Sequence, residues 1–158
     1  MRTIFILGIF IATAFSQKSF AQDASQSNQL SSLLNNYYEV KDALVNSNPD
    51  AAALQARVFL KTIKDLSKAS LSKEVRNALM KPAESISATK DIKIQREAFA
   101  TLSTNMYDFV KAQKPGGTIY YAYCPMKKSY WLSSEKAIKN PYYGNMMLTC
   151  GNVSDTIE

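Results

Sequence analysis

The chain has no histidine, and among its 158 residues it has only two Cys, one Trp, five Gly and five Pro. Without histidine there is no Ser-His-Asp or Cys-His catalysis, no His-ligated zinc and no His-linked haem. Two cysteines are too few to close a four-ligand zinc site by themselves. No Cys-x-x-Cys spacing supports a thioredoxin-like oxidoreductase. The Gly116-Gly117 pair is a turn, because no phosphate-loop pattern follows it. Glu39, Asp42, Glu97 and Asp108 fall on helical segments and show no converging acid pair. The residue inventory is that of a protein that is not an enzyme.

What is present is a core-forming composition, 46% hydrophobic and 11% aromatic, at a length that suits one domain plus a leader. Residues 1–21 read as a secretory signal peptide. Arg2 precedes an apolar run from Ile4 to Phe15, and Ser19-Phe20-Ala21 offers small residues at −3 and −1. Cleavage is expected between Ala21 and Gln22. The run is too short to cross about 30 Å of hydrocarbon, and no Cys follows it for a lipoprotein anchor. No later stretch approaches spanning length. The expected location is therefore periplasmic or secreted, without a transmembrane segment after cleavage. Loss of Arg2 and Lys18 leaves 17 basic residues against 13 acidic, dispersed along helical faces, so nucleic acid is not an expected partner.

Residues 22–28 are polar and are expected to form a flexible tail, followed by a single helical domain over 29–158. Leu30, Leu33, Leu34, Tyr37, Val40 and Leu44 fall on one helical face. Asn48-Pro49-Asp50 then supplies an N-cap, a first-turn proline and a first-turn acid. Ala52, Ala56, Phe59, Ile63 and Leu66 predict a second helix. A serine-rich break over 67–72 leads to a third, with Pro82 placed to kink or split it. The fourth begins near Asp91 and carries Phe99, Leu102, Met106, Phe109 and Val110. The fold class is mainly α: an up-down four-helix bundle with a small irregular or β C-terminal tail packed on it.

That tail, 118–158, holds both Cys, the only Trp, six of the nine Tyr and three of the six Met. Alternation over 119–123 predicts a strand, and 129–132 its hairpin partner. Residues 134–139 suit one helical turn, and Asn140-Pro141-Tyr142-Tyr143-Gly144 a reverse turn. Cys124-Pro125-Met126 and Met146-Met147-Leu148-Thr149-Cys150 place two thiols and three thioethers in two short loops. Such soft donors select ions like Cu(I) or Ag(I). In an exported protein an even Cys pair is first a disulfide candidate, worth roughly 3 kcal/mol for a loop of this length. From composition and spacing alone the disulfide is favoured, and the methionines and Trp131 are core filler.

The tail segments Tyr123-Cys124-Pro125-Met126, Tyr130-Trp131-Leu132-Ser133, Asn140-Pro141-Tyr142-Tyr143-Gly144 and Met147-Leu148-x-Cys150-Gly151 resemble a bacterial family called domain of unknown function 3347. So do Tyr37-x-x-x-Lys41-Asp42-Ala43-Leu44-Val45 in the first helix and Asp91-Ile92-x-x-Gln95-Arg96-x-x-Phe99-Ala100-x-Leu102-Ser103 in the last. The resemblance spans about 30–157. It implies an exported helical domain of a kind also fused to periplasmic adaptor subunits of copper/silver efflux systems. It therefore puts soft-metal binding ahead of the structural disulfide. Cys124, Met126, Met147 and Cys150 are the expected ligands, with Met146 as an alternate and Trp131 and Tyr123 around them. The expected partner is an efflux-pump adaptor or another envelope protein. The alternative is a non-metal interaction domain with a Cys124–Cys150 disulfide. Lys127-Lys128, next to Met126, counts mildly against a cation site.

Overall fold

The computed structural model describes residues 18–66, 71–113 and 115–158, with the backbone alone for 18–27. Residues 1–17 of the expected signal segment, and 67–70 of the serine-rich break, lie outside the described residues. Four helices come first: α1 (Lys18–Val45), α2 (Pro49–Asp65), α3 (Lys73–Ser87) and α4 (Ile92–Gln113). A three-stranded antiparallel sheet follows, made of β1 (Ile119–Cys124), β2 (Ser129–Ser133) and β3 (Asn152–Ile157) in the order β2-β1-β3. A single 3₁₀ turn, Gly144–Met146, lies between β2 and β3. The fold is the mainly helical bundle with a small β tail that the patterning predicts.

Local chemistry sets the helix ends. Ser47 takes a left-handed φ of 52°, which closes α1 and lets Asn48 N–H return to Ala43 O at 2.9 Å. The Asn48 side chain then accepts from Ala51 N–H at 3.0 Å, with Pro49 in the first turn. Ser72 caps α3 through Val75 N–H, and Asp91 caps α4 through Lys93 N–H at 2.8 Å. α1 extends N-terminally to Lys18, so the backbone of residues 22–28 is helical where an irregular tail is expected. The segment contains neither Gly nor Pro, so nothing in it breaks the helix that α1 propagates.

Successive helices pack side by side, and the predicted stripes meet in the middle. Leu33, Tyr37, Val40, Leu44, Ala52, Ala56, Phe59, Ile63, Leu79, Ile86, Phe99, Leu102, Met106 and Val110 are fully buried. α1 and α4 touch far less than the sequential pairs do, and β2 packs against α4. The α1–α4 seam is bridged by the tail: Tyr37 Oη on α1 receives Leu132 N–H from β2 at 3.0 Å and bonds Ser103 Oγ on α4 at 2.7 Å.

Pro82 lies inside α3, which runs unbroken from Lys73 to Ser87, so it neither splits nor ends the helix. Lacking an N–H, it leaves Ala78 O without its helical donor. Asn105 Nδ2 on α4 donates to that carbonyl at 2.7 Å, so the neighbouring helix supplies what proline removes. Asn105→Ala is expected to cost about 1 kcal/mol. The cost should be much less in a Pro82→Ala background, where the restored backbone N–H at that position serves Ala78 O. A double-mutant cycle by urea denaturation reads the coupling; additive costs would refute it.

Two details of the tail differ from expectation. Residues 134–137 are bends, not a helical turn: Ser133 Oγ accepts Glu135 N–H at 3.1 Å, and the chain must run on to the buried Asn140. The third strand, β3, is not legible in the sequence. Its residues alternate between exposed and half-buried, and only Ile157 is buried, so no apolar period marks it. Its docking is polar: Tyr107 Oη donates to the Asp155 carboxylate, and Lys111 Nζ joins it at 3.0 Å. These two bonds hold the Asp155 carboxyl down at about 2.

Candidate functional site

The tail is tied to the end of the bundle by one buried guanidinium. Arg96 Nε on α4 donates to Pro141 O at 2.9 Å, and its Nη2 donates to Leu44 O at 3.2 Å and Ser47 Oγ at 3.0 Å. The charge therefore sits at the C-terminus of α1, where the helix dipole is negative. Desolvation lowers the Arg96 pKa, and oxygen acceptors from three segments offset that cost. Gly144 fits directly above. A Cβ there would lie 2.7 Å from Val45 O and would collide with Ser47 Oγ, and its φ is +55°. An aromatic line runs outward from the core. Tyr37 stacks on Phe99 at 5.2 Å, Phe99 meets Tyr142 at 6.1 Å, and Tyr142 meets Trp131 edge-on at 6.0 Å. Burial raises the Tyr37 and Tyr142 phenols well above their usual range, so both act as neutral hydrogen-bonding groups.

The two cysteines come together where β1 ends and β3 is about to begin. Both are free thiols with their Sγ atoms 4.0 Å apart, Cys124 buried and Cys150 half-buried. Two N–H groups point at the buried sulfur: Asn140 Nδ2 donates to Cys124 Sγ at 3.1 Å, and Lys127 N–H donates to the same atom at 3.4 Å. Both donations suit an anionic sulfur at Cys124. Desolvation, then the neighbouring Cys124, pushes the Cys150 thiol up.

The remaining predicted residues divide. Trp131 is buried over the site: a Cβ on Gly151 would fall 2.8 Å from Trp131 Cη2 and 2.8 Å from Tyr123 O. Tyr123 contributes that carbonyl, while its ring lies with Tyr130 at 4.6 Å, on the sheet face opposite Cys124. Met126, Met146 and Met147 are the tail's exposed large apolar side chains, at 63%, 76% and 36%, so they are not core filler. The Lys127 ammonium turns to Glu97 on α4 at 3.7 Å, which removes part of the charge objection to a cation. Among the described residues there is no group of three or more His, Cys, Asp or Glu that could hold a metal ion.

Three contributors have little sequence signal. Asn140 reads only as a turn residue. Arg96 stands out only as part of the last-helix segment that carries the family resemblance. Gly151 reads as a residue after a cysteine, although a glycine followed by the polar, alternating 152–157 is a cue for a strand entered through a special φ.

A family model described as a protein of unknown function, DUF3347, matches residues 33–118. This chain belongs to the DUF3347 family. The DUF3347 match takes in the C-terminal part of α1 from Leu33 on, all of α2 to α4 and the turn before β1. It stops short of both cysteines, so family membership describes the bundle with Arg96 and Tyr37, and the sulfur site lies beyond it. No curated protein and no solved structure matches the chain. No helix among the described residues is long and apolar enough to cross a membrane.

Proposed function

We propose that this chain is an exported soft-metal-binding module that holds Cu(I) or Ag(I) on Cys124 and Cys150, as an accessory to heavy-metal efflux. The observation that carries this reading is the pair of unbridged sulfurs 4.0 Å apart, with two N–H donors aimed at Cys124. Two thiolates sharing one tetrahedral ion at about 2.3 Å each lie about 3.8 Å apart, so a separation of 4.0 Å is of the size that a shared ion with further ligands requires. Thiolate and thioether are the donors such ions prefer, and Met126 and Met147, with Met146 as alternate, are exposed thioethers on the two loops that carry the cysteines. Trp131 closes the inner side. The N-terminal signal pattern supports export.

Reduced protein titrated with Ag(I) against a competing chelator is expected to bind one ion. In the Cys124→Ser, Cys150→Ser double variant affinity should fall at least 100-fold; equal affinity would overturn the reading. Native mass spectrometry of protein from the periplasm of copper-supplemented cells separates the alternative. A mass two hydrogens short and free of metal would make the pair a structural bridge in an envelope interaction domain. A mature chain beginning at Gln22 would support the proposed cleavage.

A further inference from the structure

We infer that Asn140 is a positioning residue of the cysteine pair, whose amide favours the open, metal-receiving state over the bridged one. Asn140 is fully buried and every polar group it has is used. Its backbone N–H goes to Leu148 O at 2.8 Å, and its carbonyl takes Gly144 N–H at 3.0 Å. Its Oδ1 takes Tyr142 N–H at 2.8 Å. Those three bonds build the turn, and a serine or aspartate at this position would serve the turn as well. The Nδ2 group does something the turn does not require. One donation goes to Cys150 O at 2.7 Å and one to Cys124 Sγ at 3.1 Å, so a single side chain spans both halves of the site.

The chemical state of the sulfur decides what the second bond is worth. A thiolate or a metal-bound thiolate carries negative charge and accepts a strong, charge-assisted hydrogen bond. A disulfide sulfur carries no net charge and accepts weakly. An N–H held against Cys124 by a buried turn therefore stabilises the metal-holding or ionised pair most, and the neutral dithiol by a smaller amount, relative to the bridge. Hydrogen bonds to ligating sulfur tune both metal affinity and redox poise in this way.

The test uses Asn140→Ser, which keeps an oxygen for Tyr142 N–H and loses both Nδ2 donations, and the isosteric Asn140→Asp. Two quantities are read for each, with retention of the fold checked by Trp131 fluorescence. The first is affinity for Ag(I) alone, by chelator competition. The second is the bridged fraction in a fixed glutathione buffer. There the two cysteines are oxidised to a disulfide, glutathione disulfide is reduced to two glutathione thiols, and the two protons pass to them. Ag(I) affinity is expected to fall 10–100-fold, while the bridged fraction rises. If both fall, Asn140 merely holds the two loops together and the inference is overturned; no change in either overturns it too. The metal arm rests on the soft-metal reading. If the wild type binds no Ag(I), that reading fails by itself, and the glutathione arm alone decides the role of Asn140. If neither variant folds, the wild type decides: the Asn140 side-chain amide protons must shift in NMR spectra between dithiol and disulfide, and unmoved signals overturn the inference.

Discussion

Arg96→Met is expected to lower the stability of the fold by about 3 kcal/mol. The variant keeps the length and much of the volume of the side chain, so the loss comes from hydrogen bonding. Pro141 O and Leu44 O lose a charged donor, and bonds to charged groups contribute about 1.5–3 kcal/mol each. Relief from burying a charge returns part of that sum. Arg96→Lys should recover little, because one ammonium cannot reproduce a planar fork serving acceptors on three segments. The effect should concentrate in the tail, whose Pro141 carbonyl is the anchored group. Urea denaturation followed by both far-ultraviolet circular dichroism and Trp131 fluorescence is the check. The fluorescence transition is expected to move first; a shift below about 1 kcal/mol in both would show that the tail docks without Arg96.

Gly151→Ala is the second large effect, about 3 kcal/mol together with a damaged cysteine site. Two independent costs act there. The φ of +149° is a conformation that L side chains rarely adopt, worth about 1–3 kcal/mol of strain. The added Cβ also meets Trp131 Cη2 and the Tyr123 carbonyl at 2.8 Å each, and overpacking of this kind costs about 1–3 kcal/mol. The indole ring can tilt; the carbonyl belongs to β1 and cannot. Relief must therefore come from movement of the chain at 150–151, which carries Cys150 away from Cys124. Thermal unfolding should show a fall of roughly 10 °C, and Ag(I) affinity should fall with it. An unchanged melting temperature would mean that β3 tolerates the shift.

These two residues show why the bundle was legible in the sequence and the site only partly so. α2 was readable because Asn48, Pro49 and Asp50 act on the helix that immediately follows them, and because Ala52, Ala56, Phe59 and Ile63 lie on one face by spacing alone. Cys124 and Cys150 were readable as a pair by their element, sulfur, and their scarcity. Asn140 was visible only as a turn former, since nothing local says that its Nδ2 faces a thiol from sixteen residues earlier. β3 was hidden because its attachment depends on Asp155 meeting Tyr107 and Lys111 on α4, a polar bond with no periodic trace.

The sequence by itself determined four amphipathic helices, the cap of the second, a β tail rich in aromatics and sulfur, and the absence of histidine chemistry. All of these follow from interactions within a few residues of chain or from composition. Only the tertiary structure decided that Asn105 repairs the carbonyl freed by Pro82, that Arg96 anchors the tail, and that an amide, not a charge, faces Cys124. Each of these joins groups at least sixteen residues apart. Donor and acceptor types can be read along a chain, but their pairing is set by which faces the packed helices bring within about 3 Å of one another.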